Sequence, residues 1–126
     1  MGALSYTHAA TLLTYSLRNG TNYLALFLTN PTASGSGTEL SGGGYARKII
    51  TFGAPSLTSG KQTCTNSAEV TFENFTADIG TVAYWGIYDA TTGGNLKWYG
   101  AFDQSKVIET GDSIVIPIGN FAANLA

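Results

Sequence analysis

His8 is the single histidine of this 126-residue chain and Cys64 its single cysteine. A Cys-His nucleophilic pair needs these two side chains to meet, with the imidazole taking the thiol proton. The surroundings argue against it: His8 lies in a helical pattern beside Tyr6 and Thr7, and Cys64 in the polar stretch "APSLTSGKQTCTNS", read as a mobile loop. One histidine and one cysteine also leave a His/Cys zinc site short of ligands. The carboxylates number eight. Glycoside hydrolysis needs two of them facing each other at roughly 5–9.5 Å. Asp89 and Asp103 close the arms of an aromatic hairpin and are the best pair, but at strand ends aspartates commonly bond their own turn backbone. The expectation is no enzyme, no catalytic residue, no metal and no cofactor.

Two further patterns could bind rather than react. "SGSGTELSGGG" is glycine-rich but lacks both G-x-G-x-x-G and the Gly-Lys-Ser/Thr ending of a P-loop, and no helix follows it. The same loop suits protein contact, because glycine permits unusual φ and Ser and Thr hydrogen-bond without the desolvation cost of a charge. Thr38, Glu39, Ser41, Gly42, Gly43, Gly44, Tyr45 and Arg47 are therefore the candidate protein-interaction residues. Glu39 and Arg47 either pair within the chain or reach a neighbour. The second pattern is aromatic: Tyr84, Trp85, Trp98 and Tyr99, with Tyr88, face one another across two strands. Rings on a strand face can hold a glycan, although alternation sends about half of them into a core.

These residues need a scaffold. "SYTHAATLLTYSLRNG" is the one good helix, over about 5–18, with Ser5 as cap, Ala9, Leu12, Leu13 and Leu17 on one face, and Asn19-Gly20 as the stop. "NYLALFLT" is apolar throughout, as in a strand covered on both faces. "YARKIITFG" and "AEVTFENF" alternate. "TVAYWGIYDA" and "LKWYGAF" flank a Gly-Gly turn, and "SKVIET" and "SIVIPIG" flank Gly111-Asp112, giving two hairpins. Ile114, Ile116 and Ile118 point one way, and Pro117 marks an edge or a bulge. About seven strands between residues 22 and 118 predict a mainly β chain, a sandwich or barrel with one N-terminal α-helix. Residues 1–126 read as one domain ending in a short tail, 119–126.

Composition narrows the function. Charged residues are 11% of the chain and hydrophobic ones 44%, against roughly 25% charged in ordinary globular proteins. A surface so poor in charge suits a protein packed against neighbours. Six basic residues in a chain of net charge −2 form no cluster that could neutralise several phosphates, which excludes nucleic acid as a partner. No apolar run approaches the ~20 residues that cross a membrane. Met1-Gly2-Ala3-Leu4 lacks the basic start and apolar core of a signal peptide, so synthesis in the cytoplasm is expected.

Three stretches carry a resemblance: "YLALFLTNPTASGSGTELSGGGYARKIITFG", "TADIGTVAYWGIYDATTGGNLKWYGAF" and "KVIETGDSIVIPIGNF". In their order, from about Tyr6 to Phe121, the chain resembles a family of small bacteriophage structural proteins of tail-fibre-like type. The "GTELSGGGYAR" and "GIYDATTGGNL" segments are the more specific. The resemblance implies a virion component at the particle surface. A compact module without stalk or coiled coil then favours a capsid cement or decoration protein, bound to the major capsid protein and to copies of itself, as in a trimer. The alternative is a tail-fibre or minor-tail module that binds a host glycan through Tyr84, Trp85, Trp98 and Tyr99, or another tail protein.

Overall fold

The structure, a computed structural model, describes residues 2–125. Met1 and Ala126, the ends of the expected domain, lie outside the described residues. The chain is mainly β, with 42% strand and 10% helix. A helix, α1 (Tyr6–Leu13), runs into a π-helical turn, Thr14–Arg18, and nine strands follow. They are β1 (Asn22–Phe27), β2 (Lys48–Ile50), β3 (Ser56–Thr58), β4 (Lys61–Thr65), β5 (Val70–Phe72), β6 (Gly80–Tyr88), β7 (Leu96–Ile108), β8 (Ile114–Ile116) and β9 (Ala122–Leu125). They form open sheets of order β2-β1-β6-β7, β3-β4-β9 and β5-β8. Open sheets replace the barrel alternative among the described residues.

The chain divides into two compact units. The first contains α1, the π turn, β3, β4 and β9. Ser5 caps the helix, its Oγ accepting from the His8 N–H at 3.1 Å. Ala9, Leu13 and Leu17 are buried, and α1 packs on β4 and β9. Leu12, expected on that same face, is 37% exposed, because the buried arc is narrow enough for Ala9 and Leu13 to fill. Phe52 and Phe121 meet at 6.3 Å between ring centroids, tilted by 56°. Asn66 ties the unit's loops together: its Nδ2 donates to the Ala68 and Pro117 carbonyls, both at 2.9 Å, and its Oδ1 accepts from the Phe121 N–H at 2.9 Å.

Two expectations fail in this unit. The polar stretch around Cys64 is the β3–β4 hairpin, and Cys64 is fully buried on the middle strand. The expected tail holds a strand, with β9 pairing β4 so that Ala123 lies opposite Cys64. Small Ala, Cys and Thr side chains let the helix approach this sheet closely. That is why a run without large apolar residues still forms core. Burial pushes the Cys64 thiol up, against the opposing pull of the Arg18 charge. The thiol should therefore resist iodoacetamide in the native protein and alkylate readily in urea, as followed by intact mass.

The second unit is built on the four-stranded sheet. β1 and β6 pair antiparallel from Tyr23–Tyr88 to Phe27–Tyr84, and β6 continues onto β7, with Trp85 opposite Gly100 and Ile87 opposite Trp98. β1 is buried along almost its whole length, as its apolar sequence requires. The aromatic hairpin forms as expected. The closing hairpin does not: "SKVI" extends β7 and pairs with Gly80–Val82, whereas β8 pairs β5. The Gly111-Asp112 turn itself exists, with the Asp112 carboxylate accepting from the Glu109 N–H at 2.9 Å. The backbone of Phe75 then holds the turn by two hydrogen bonds, and this contact diverts its second arm. Ile118 lies beyond β8 and is 65% exposed, so it does not share the inward face of Ile116. Asp103 lies inside β7 rather than at a strand end.

Candidate functional site

The long loop between β1 and β2 folds back over its own unit. Thr38–Leu40 run beside β1: Leu28 N–H donates to the Thr38 carbonyl at 2.8 Å and Leu40 N–H to the Leu26 carbonyl at 3.0 Å. Gly42, Gly43 and Gly44 then adopt φ of 73°, 58° and 79°. This consecutive left-handed run is open only to glycine at low cost. It turns the chain so that the Gly43 carbonyl accepts from the Thr76 N–H at 2.9 Å and Tyr45 points back at β1.

Glu39, Tyr45 and Arg47 meet there. Arg47 grips Glu39 with both arms of the guanidinium, Nε to Oε2 at 2.9 Å and Nη2 to Oε1 at 2.9 Å. Its Nη1 donates to the carbonyls of Ala90 at 2.9 Å and Gly93 at 2.8 Å, in the β6–β7 turn. The guanidinium carbon stands 3.8 Å from the centroid of the Tyr88 ring, a stacked cation–π geometry. The Tyr45 hydroxyl donates to Glu39 Oε2 at 2.6 Å and accepts from the Leu26 N–H at 3.1 Å. Beneath lie Ala25, Phe27 and Tyr88, with Tyr84 and Leu96 packed against them. The Arg47 side chain is only 6% exposed and that of Glu39 26%. The Glu39 hydrogen bond raises the Arg47 pKa further, so the cation is permanent.

This cluster is a clasp. It joins the loop to the aromatic hairpin and has no acid or base free to move a proton. Of the two readings of Glu39 and Arg47, pairing within the chain is the one realised. Thr38 is held as well, its N–H on Thr29 Oγ1 at 2.7 Å. Ser41, Gly42 and Gly44 remain exposed at the loop's rim. Sequence reasoning named the pair but missed Ala90, Gly93 and Tyr88 as its partners; no spacing signal connects residues so far apart.

Tyr45 carries a pH signature. Burial, then its bond to Glu39, pushes the phenol far above its ordinary value of 10.0, and burial raises Tyr88 too. In the unfolded chain these phenols ionise near pH ~10 while the native ones stay protonated. Their contribution is thus complete below pH ~10 and is lost as the pH rises through and beyond it. Urea unfolding at pH 8 and 11 should show a steep alkaline loss of stability, smaller in Tyr45→Phe.

The four aromatic candidates do not form one platform. In the β6–β7 register Trp85 and Trp98 share one face of the sheet, Tyr84 and Tyr99 the other. Trp85 is buried, 9% exposed, above Gly100, where a Cβ would stand 2.6 Å from the indole. Tyr99 alone of the four is well exposed, at 44%. Asp89 binds Asn95, accepting from its N–H at 2.7 Å and its Nδ2 at 3.0 Å. These bonds hold its carboxyl below the usual range. It performs the turn role that competes with catalysis. His8 is exposed, and Cys64 is buried. Among the described residues no three His, Cys, Asp or Glu side chains gather as a metal site, and no helix is long and apolar enough to cross a membrane.

The resemblance to phage structural proteins is now matched by a direct comparison. The class is that of bacteriophage virion structural proteins, of tail-fibre-like type. Residues 4–124 match the family described as Podophage GP4 fiber I protein gp80, and the chain belongs to that family. No curated protein matches the sequence at a significant level. The family is one of fibres, so the tail-fibre alternative takes precedence over the expected capsid cement protein. Compactness of one chain does not weigh against a fibre, whose length can come from many chains.

Proposed function

We propose that this chain is a fibre subunit of a phage particle, acting without catalysis through the surfaces it presents to neighbouring subunits and to the host. The match to a fibre family over residues 4–124 carries the reading. The clasp agrees with it: Arg47, Glu39 and Tyr45 are spent on rigidifying the unit. Ile49, Val107, Val115 and Ile118 are each more than half exposed, which is apolar surface that assembly can use. Its partners are copies of itself and other fibre or tail proteins.

Electron microscopy of purified virions decorated with Fab fragments against the chain tests this. Labels on fibres at the tail are expected. A label spread over the head lattice would restore the decoration reading, and unlabelled particles lacking the chain by mass spectrometry would overturn both.

A further inference from the structure

We infer that the groove beside the N-terminal helix, in the first unit, is a binding site for a neutral oligosaccharide. This goes beyond the fibre reading and does not depend on it, because the ligand class follows from the groove's own lining. The groove lies between the outward side of the helix and the β3–β4 hairpin and has a volume of about 680 Å³, within the range of roughly 300–1,000 Å³ typical of ligand sites.

Two i, i+4 rows running from the helix into the π turn form one wall, Tyr6-Ala10-Thr14 and Thr7-Thr11-Tyr15. Tyr6 is 50% exposed and Tyr15 74%, and neither hydroxyl has a hydrogen bond among the described residues. A phenol ring offers an apolar face for the C–H side of a sugar and a polar tip for its hydroxyls. Thr11 Oγ1 donates to the Thr7 carbonyl at 3.1 Å and Thr14 Oγ1 to the Ala10 carbonyl at 2.9 Å. With their protons spent on the helix, both oxygens offer lone pairs as acceptors. Ser56 and Gln62 on the hairpin and Asn19 at the helix end also line the groove and supply both donors and acceptors. Sugar hydroxyls, which donate and accept, match that mixture.

The lining also excludes alternatives. No charged side chain among the described residues lines the groove, so a phosphate, a uronic acid or a nucleic-acid backbone finds no counter-charge. An amphipathic peptide needs a row of apolar anchor pockets, and Pro55 and Leu57 are the only large aliphatic lining groups. Tyrosines with amides and hydroxyls, and no ions, suit a neutral polyol.

The full chain should be screened on an array of neutral bacterial surface oligosaccharides beside sialylated, uronic-acid and phosphorylated counterparts, with hits titrated by NMR. Neutral glycans should bind, and Tyr15→Ala or Gln62→Ala should weaken the best hit about ten-fold or more at unchanged melting temperature. Raising salt from about 0.05 to about 0.5 M should leave binding intact, as should Tyr99→Ala on β7, which is not among the groove's lining residues. No neutral hit on the array, preference for the acidic glycans, or binding that survives the Tyr15→Ala/Gln62→Ala double variant would overturn the inference. So would self-association abolished by Tyr15→Ala, since a second copy would then occupy the groove. None of these results touches the location of the chain in the particle, which the Fab labelling reads separately.

Discussion

Replacing Arg47 with methionine is expected to destabilise the protein by about 3 kcal/mol, because it strands a carboxylate that has no other cation among the described residues. The salt bridge it removes is nearly dry on the cationic side, with the Arg47 side chain 6% exposed. Removing one partner of a buried pair costs ~3–5 kcal/mol, and the partial exposure of Glu39 favours the lower end. The Ala90 and Gly93 carbonyls lose their donor as well. Arg47→Lys should recover only part of the loss: an ammonium keeps the charge but cannot grip Glu39 with two parallel bonds, reach two carbonyls and stack on Tyr88 at once. Urea midpoints at constant m measure the change. Limited proteolysis gives a second readout, since a released clasp should expose the loop before the strands. If Arg47→Met unfolds at the parental midpoint, the clasp contributes nothing and the loop is held by its backbone bonds alone.

Asn66→Ala should cost about 2–4 kcal/mol, because three hydrogen bonds disappear together in a buried place. Asn66 is 1% exposed, so water cannot readily replace the amide for the Ala68 and Pro117 carbonyls or the Phe121 N–H. Asn66→Asp tests the chemistry rather than the volume. It keeps an acceptor for Phe121 but turns an oxygen toward two carbonyls at 2.9 Å. Repulsion and burial would hold that carboxyl protonated, with its folded pKa above the unfolded one. Its deficit should therefore be greatest at neutral pH and shrink as the pH falls. Thermal unfolding of both variants at pH 7 and 4 checks the order. Equal melting temperatures for Asn66→Asp and the parent at pH 7 would contradict this account.

The clasp and the groove differ in how far the sequence announced them. Glu39 and Arg47 are rare charges beside a glycine-rich loop, and their mutual pairing is one of the two readings the sequence leaves open. The groove has no signature in the sequence: Tyr6 and Tyr15 read as ordinary residues of a helix, and Gln62 as part of a loop. A binding surface made by two segments some fifty positions apart has no period to detect. The strand aromatics misled for the opposite reason. Their clustering in sequence is real, but alternation divides them between two faces.

Local chemistry settled the capped helix, the apolar strand Asn22–Phe27, the Gly-Gly hairpin and the mainly β character. Each of these depends on neighbours within a few residues, where capping, periodicity and turn preference act. The tertiary structure alone decided that "SKVI" joins the aromatic strand, that β8 leaves its hairpin partner for β5, that Cys64 is core, and that the last strand pairs β4. Those outcomes rest on competition between distant backbone partners and on how closely small side chains let a helix approach a sheet. No local preference encodes either.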